Sequence, residues 1–318
     1  MLNDHRYAPL DGQNPTTSDG SNVQTHNPHH SSAHCQFSER VAVVTGAGSG
    51  IGRALAHHLA ACGAVVALSD VNLDALAETA KSCASFGGQV RHDVVDVTDR
   101  TAVVQYADDV VTQFKTVNLL FNNAGVMFAG DVIQSTYEDY EYVFDVDFWG
   151  VVYATKAFLP HIIAGGGGKL VNISSAFGLM AAPSYSAYNA AKFAVRGFTE
   201  ALHQEMRQSG IDVQVSCVFP GAVRTGIVSN SRVAAGHDHD RATRVFERMA
   251  RTTPTLAAAA ILHGVQSGNH RILVGSDARL VDVLTRLAPG SYQELLTLFR
   301  HLPRTFTRHH PALQQEGT

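Results

Sequence analysis

The sequence predicts an α/β fold: one doubly wound parallel sheet of about seven strands, with helices on both faces. Three observations predict it. Short apolar, β-branched runs alternate with stretches of helical period through most of the 318 residues. A glycine-rich turn joins the first strand to the first helix, TGAGSGIG at 45–52. No repeat or linker divides the body, so one domain is expected from about 38 to 300.

The elements follow in order. Residues 1–37 are polar, rich in Asn, Ser, Thr, His and Pro, and read as a disordered tail. His29, His30 and His34 lie there without a carboxylate or cysteine framework, so disorder is favoured over a metal site. VAVVT (41–45) reads as a buried strand and IGRALAHHLAACG as the helix after it. AVVALSD (64–70) is the second strand and DALAETAKSCA the second helix. The third strand falls within QVRHDVVDV (89–97), followed by a helix over TAVVQYADDVVTQF and a fourth strand at VNLLFN (117–122). One long helix is expected over about 136–163, a strand over 169–174, a helix over 186–208 and a strand over 211–218. Residues 221–252 show little period. PTLAAAAILHGVQ then reads as a helix, RILVG (271–275) as a strand, with two short helices after it and a polar tail over 301–318.

Composition narrows the function. There are 24 Lys and Arg against 28 Asp and Glu, a net charge of −4, and the basic residues form no stripe; nucleic acid is not an expected partner. No apolar run approaches the roughly 18 residues that span a bilayer, and no secretory signal is apparent. Four cysteines, at 35, 62, 83 and 217, make no CxxC pair. The last three lie in apolar or helical stretches and read as buried free thiols, which fits a reducing, cytoplasmic location.

The chemistry-bearing motifs lie at strand ends. Glycines after the first strand let the backbone turn tightly and approach a pyrophosphate, and the helix behind offers free N–H groups and a positive dipole end. Gly46, Ser49, Gly50, Ile51 and Gly52 form this cradle. Asp70 ends the second strand, where a carboxylate accepts hydrogen bonds from ribose hydroxyls and repels a 2′-phosphate; the other reading is a helix N-cap. Asp96 and Val97 close the third strand, and NNAG (122–125) the fourth. Tyr188 and Lys192 of YNAAK are four residues apart, hence on one helix face. Ser175 stands thirteen residues before Tyr188 at a strand end. Oxidising an alcohol needs a base for its hydroxyl proton, and a nearby ammonium favours phenolate, so Lys192 is expected to lower the pKa of Tyr188. Ser175 can hydrogen-bond the substrate oxygen.

Together, in this order, TGxxxGxG, NNAG, the serine pair and YxxxK resemble the short-chain dehydrogenase/reductase family over about residues 38–290. The resemblance implies a Rossmann-type fold and an NAD(P)-dependent oxidoreductase acting on CH–OH groups. It implies that Asp96, with the amide of Val97, contacts adenine, and that Asn123, Ala124 and Gly125 meet the adenosine ribose. Lys192 would hold the nicotinamide ribose. In VFPGAVRTG (218–226), Pro220 and Gly221 would make the turn while Val223 and Thr225 hold the nicotinamide carboxamide. NADP-binding relatives place Arg or Lys where this chain has Ser49 or Val71, so NAD is expected over NADP. Arg53, after the last glycine, reads as a surface residue. One departure stands out. The fourth catalytic position of the family is an Asn; here, in DVDFWG, it is Asp147. A charge there either strengthens the proton relay through water or opposes phenolate at Tyr188.

The pocket walls are expected from Met127 and Phe128, then Phe177, Leu179, Met180 and Tyr185, then a lid over 227–250, with His237 and His239 solvated. They suit a hydrophobic secondary alcohol or ketone. The helices at 136–163 and 186–208 are the family's usual subunit interface, with Trp149, Phe158 and Phe198 as candidates, so a homodimer or homotetramer is expected. The rival readings are an NADP-dependent carbonyl reductase and a catalytically silent NAD-binding sensor or scaffold.

Overall fold

Seven parallel strands are hydrogen-bonded in the order β3-β2-β1-β4-β6-β7-β9. They are β1 (Val41–Thr45), β2 (Val65–Asp70), β3 (Val90–Val94), β4 (Leu119–Asn122), β6 (Gly168–Ile173), β7 (Val213–Pro220) and β9 (Arg271–Val274). The computed structural model describes residues 35–236 and 238–294. Residues 1–34 and 295–318, with His29, His30 and His34, and also His237, therefore lie outside the described residues.

The strand order reverses between β1 and β4, so the crevice beyond their carboxyl ends is where such a sheet binds ligands. Burial follows from the sequence: VAVVT is buried at all five positions, because helices cover both faces. On one face α1 (Gly50–Ala61), α2 (Leu73–Ala84) and α8 (Pro254–Gln266) pack against residues such as Val44, Leu68 and Phe121. On the other, α3 (Arg100–Phe114), α5 (Gly150–Ala164) and α6 (Ser186–Gln208) enclose Val43, Leu120 and Phe158. Side chains at the helix starts hold the ends in register. Asn72 caps α2, Asp99 caps α3, and Thr136 with Asp139 forms a capping box on α4 (Tyr137–Phe144).

Three features depart from expectation. The long helix over 136–163 is three pieces: α4, a π-helical turn at Asp145–Trp149, and α5. The aperiodic stretch contains β8 (Arg232–Val233) and helix α7 (His239–Met249). β8 pairs in parallel with β5 (Phe128–Ala129), a two-residue contact too short to leave a sequence period. Helix α9 (Ser276–Leu287) is the first of the two short helices expected, and the second falls at the edge of the described residues.

The third concerns the start of the fold. Phe37 is 1% exposed in the core, so the body takes in residues assigned to the tail. Cys35 and Cys62 form a disulfide with their Cα atoms 5.6 Å apart. Cys62 is thus not a free thiol, and the cysteine argument for a reducing compartment falls away. Only Cys83 and Cys217 are buried and free. The pairing could not be read from spacing, because the turn after α1 brings together residues 27 apart. Among the described residues no helix is long and apolar enough to cross a membrane.

Candidate active site

The glycine turn has the shape a pyrophosphate cradle needs. Gly46 and Gly50 have φ of +63° and +53°, a region unfavourable to side chains. A Cβ on Gly46 would stand 2.7 Å from Ala124 Cα, and one on Gly50 would stand 3.1 Å from Thr225 Cγ2. Thr225 therefore faces the turn across the crevice. Ser49, at the N-cap of α1, makes no side-chain cap bond, and Ile51 packs down on the core. The first-turn amides of α1 remain available to an anion. Gly52 is buried, and a Cβ there would strike the Gly46 carbonyl.

The other positions expected to meet a cofactor surround this cradle. Asp70 Oδ2 accepts from Gly48 N at 2.8 Å and Oδ1 from Asn72 N at 2.9 Å. Asn72 caps α2, which disposes of the capping reading of Asp70. Asp96 lies two residues beyond β3, exposed, and accepts from the amide of Thr98 at 2.9 Å. Val97 is buried against Gly150. Asn123 Nδ2 donates to the carbonyls of Thr45 and Gly46 at 3.0 and 3.1 Å, locking the end of β4 to the glycine turn. The amides of Asn123 and Ala124 both donate to Thr45 Oγ1. Asn122 Nδ2 donates to Thr155 and Asn172, whose own Nδ2 donates to Thr199, a buried chain that ties β4, β6 and the helices behind them.

Sequence reasoning missed three supporting groups. Arg53 is not a free surface residue: it donates to Gly48 O at 2.6 and 3.0 Å and to Ala75 O at 3.1 Å, strapping the turn to α2. Thr45, the first letter of TGxxxGxG, carries the β4 end. Asp277, at the start of α9, accepts from Ala222 N at 2.6 Å and so holds the loop of Pro220, Gly221, Val223 and Thr225. Nothing local marks Asp277, since the two residues are 55 apart.

Ser175, Tyr188, Lys192 and Asp147 converge. Ser175 caps a short 3-10 turn, its Oγ accepting from Phe177 N at 3.1 Å. Tyr188 and Lys192 lie one turn apart on the buried face of α6, 4% and 3% exposed. Lys192 Nζ is 5.5 Å from the Tyr188 ring centre and donates to Ile173 O at 3.2 Å. Asp147 is 0% exposed; its Oδ1 accepts from Val126 N at 2.7 Å and its Oδ2 is 3.1 Å from Lys192 Nζ. The water-linked pair foreseen for Asp147 is thus a direct ion pair. Burial works against the Lys192 ammonium, but Asp147 and then Tyr188 outweigh it, and the lysine pKa is raised.

Tyr188 does not titrate in the expected direction. Burial raises its pKa; Lys192 and a hydrogen bond from Ser175 pull it down, while the Asp147 charge adds to the rise. The net shift is upward, so the phenol is the stable form. The ammonium effect on Tyr188 is present, but desolvation exceeds it.

Around the phenol lies an apolar cluster containing Met127, Phe128, Val228 and Ala234, with Phe177 and Tyr185 partly buried beside them. Met180, also half-buried, follows the 3-10 turn. Leu179 is a correction: it packs beneath, with Cys217 and Phe219, because the 3-10 turn directs it away from Tyr188. The segment expected as a lid is tied to the strand end beside the site. Arg232 N donates to Met127 O at 3.1 Å, Ala234 N to Ala129 O at 2.9 Å, and the Arg232 guanidinium lies 3.5 Å above the Tyr142 ring. His239 is not merely solvated, since Nε2 lies 3.0 Å from Val228 O. Of the interface candidates, Phe158 is core, 0% exposed against Tyr106, whereas Trp149 is 44% exposed and stacks on Tyr153. Phe198 is half-buried against Phe148.

Known proteins resemble this chain in sequence and fold. A family model described as short chain dehydrogenase matches residues 40–235. SadH of Mycobacterium tuberculosis, named as an oxidoreductase, is 52% identical over 261 residues, which cover 82% of this chain and 95% of SadH. Estradiol 17-beta-dehydrogenase 11 of Mus musculus is 31% identical over 257 residues, 80% of this chain and 82% of that protein. The solved structure of a short chain dehydrogenase/reductase from Burkholderia phymatum in complex with NAD has a TM-score of 0.75 at 31% identity, covering 82% of this chain and 96% of that one.

Proposed function

The chain belongs to the short chain dehydrogenase family and is an NAD(P)-dependent oxidoreductase acting on CH–OH groups; from that premise we propose that it moves a hydride between NAD(H) and a hydrophobic secondary alcohol or ketone, with Tyr188 as general acid and base. The observation that carries this reading is the convergence of buried Tyr188 and Lys192 with half-buried Ser175 between the glycine cradle and an apolar cluster.

NAD fits the residues present. The glycine turn supplies a cradle that a Cβ would fill, and the Asp70 carboxylate stands at the end of β2, where the adenosine ribose would be held. A 2′-phosphate would meet the Asp70 charge, which favours NAD over NADP. Asp96 and Val97 would flank the adenine, Asn123, Ala124 and Gly125 the adjoining ribose, and Val223 and Thr225 the carboxamide, on a loop turned by Pro220 and Gly221. Bound NAD(H) supplies the hydride acceptor or donor.

The chain's own residues handle the proton. In reduction the Tyr188 hydroxyl donates to the carbonyl oxygen, while the Ser175 hydroxyl hydrogen-bonds that oxygen and stabilises its developing charge. In oxidation Tyr188, once ionised, takes the alcohol proton. Lys192 carries the positive charge beside Tyr188 and would hold the nicotinamide ribose. The lid excludes water from the reacting atoms.

The apolar walls around Tyr188 suit a steroid-like, terpenoid or acyl-chain substrate, a class into which the name of the estradiol dehydrogenase relative also falls. A homodimer or homotetramer would use the face bearing Trp149, and a cytoplasmic location accords with a cofactor of the cell interior.

The test is a panel of hydrophobic secondary alcohols and ketones read by NADH absorbance, run with NAD and with NADP. Turnover with NAD that Tyr188→Phe abolishes is the expected result. A strong preference for NADP would overturn the reading of Asp70. Tight NAD binding with no Tyr188-dependent turnover would make the protein a sensor or scaffold instead.

A further inference from the structure

We propose that Asp147 is a positioning residue that occupies Lys192 in a direct buried ion pair, keeps Tyr188 in its O–H form and so adapts the site to carbonyl reduction at neutral pH. The inference rests on the assignment of Tyr188 as the acid and base.

The geometry begins with the break in the long helix. The π-helical turn at Asp145–Trp149 inserts an extra residue per turn, and Asp147 alone among its five residues is buried to 0% exposure. Two elements then fix the carboxylate. Val126 N, just past NNAG, holds Oδ1 at 2.7 Å, and Lys192 Nζ stands 3.1 Å from Oδ2. That approach is close enough for an ion pair but is not aligned as a hydrogen bond, and Oδ2 receives no hydrogen bond in this structure. Lys192's own hydrogen bond goes to a neutral carbonyl, that of Ile173. Its counter-ion is therefore Asp147, whose carboxyl is pushed up by burial while Lys192 and the Val126 amide pull it back down.

The surroundings leave no other charge to decide the matter. Among the described residues, the charges acting on Tyr188 are one cation, Lys192 from its own helix, and one anion, Asp147. Ser175, after β6, contributes a hydroxyl. Cys217 of β7 faces Lys192, but burial pushes its thiol up to about 12 and it is uncharged. Tyr142 of α4 also senses Asp147, and its ring is covered by Arg232 from the lid.

A lone buried ammonium beside a phenol would draw a phenolate as its counter-ion. Here that place is taken. Ionising Tyr188 would set two anions about one cation in a site shielded from water, which costs more than ionising it beside an unpaired lysine. The O–H form donates a proton to a carbonyl without prior change, whereas alcohol oxidation must wait for a pH at which the phenol ionises. Asparagine at the same place would keep an oxygen for Val126 N and remove the charge.

The experiment uses the full chain without added cofactor. The tyrosinate ultraviolet band is titrated for the wild type and for Asp147→Asn, each with a Tyr188→Phe partner whose signal is subtracted. The Tyr188 component is expected to ionise at lower pH in Asp147→Asn, by about one unit or more, a ten-fold change in the equilibrium. The low-pH limb of kcat/KM for alcohol oxidation, and the high-pH limb for ketone reduction, should move down together. Coincident titration curves, or an upward shift in Asp147→Asn, would overturn the proposal. Should Asp147→Asn fail to fold, Asp147→Ser removes the same charge and is read in the same way. A protein that turns over no alcohol or ketone removes the assigned function, yet the titration still reports whether Asp147 governs Tyr188.

Discussion

Tyr188→Phe removes one oxygen from a buried ring that Phe177 contacts edge-on, so the fold should persist and the proton transfer should not. Turnover is expected to fall by about 10²- to 10⁴-fold, with NAD affinity by fluorescence titration little changed. Asp70→Asn is more selective. Its side-chain oxygen can still accept from Gly48 N, but the charge is gone, so KM for NAD should rise about ten-fold while NADP becomes relatively more acceptable. Kinetics with both cofactors checks this, and an unchanged NAD/NADP ratio would leave Asp70 a loop support only. These residues were legible because their roles depend on local spacing. Tyr188 and Lys192 share a helix face at any four-residue separation, and the glycine turn needs its glycines wherever it sits. Asp147 was legible as a departure, but its sign was not, because that depends on whether the carboxylate meets the ammonium directly.

Among the elements, the lid illustrates what periodicity misses. Residues 227–250 read as aperiodic because β8 is two residues long and α7 buries no residue fully. What holds the segment in place is pairing between β8 and β5, together with the stack of Arg232 on Tyr142. Cation–π contacts at exposed sites are worth about 0.5–1 kcal/mol. Arg232→Ala should therefore loosen the lid modestly, shifting KM for a hydrophobic substrate by about two- to five-fold, which steady-state kinetics would reveal. The glycine turn is less forgiving. Gly52→Ala drives a methyl group into the Gly46 carbonyl and Asn123 Nδ2, so a loss of about 1–3 kcal/mol in stability is expected with weakened NAD binding. A melting curve and a binding titration on the same variant test both effects.

At the scale of the whole molecule, one long-range tie and one local one hold the ends of the described chain. The Cys35–Cys62 disulfide anchors the start to the far end of α1, a 12-residue helix whose other end bears the cofactor turn. The separation is about 18 Å at 1.5 Å per residue. Cys35→Ser with Cys62→Ser should thus lower stability by about 2–4 kcal/mol without altering kcat, as chemical denaturation and assays would show. The second tie is Asp282 on α9, bonded to Arg271 of β9 and, at 3.0 Å, to Arg286. Burial opposes the Asp282 carboxylate, but the two arginines outweigh it and hold its pKa below 3.8. A depressed carboxyl contributes stability above its unfolded value and loses it as pH falls through the folded one. Asp282→Asn should cost about 1–3 kcal/mol at neutral pH, with the difference from the wild type closing below pH 3.8.

The amino-acid sequence by itself determined the seven-stranded parallel sheet and its alternation with helices, and it marked the glycine turn and Ser175, Tyr188 and Lys192 as candidates. Each depends on patterns of two to about thirteen residues, and local sterics and hydrophobic period write such patterns directly into the chain. Tertiary structure alone decided the rest. It turned Leu179 and Phe158 into the core, paired Cys35 with Cys62, brought Asp277 under the loop of Val223 and Thr225, and converted Arg53 from a surface charge into a strap. It also set the state of the central tyrosine. Lys192 was expected to favour the phenolate of Tyr188, and the ammonium does pull that way, yet full burial and the facing Asp147 prevail. Burial and charge proximity are properties of the folded interior, created by residues far apart in the chain, and no spacing along the sequence records them.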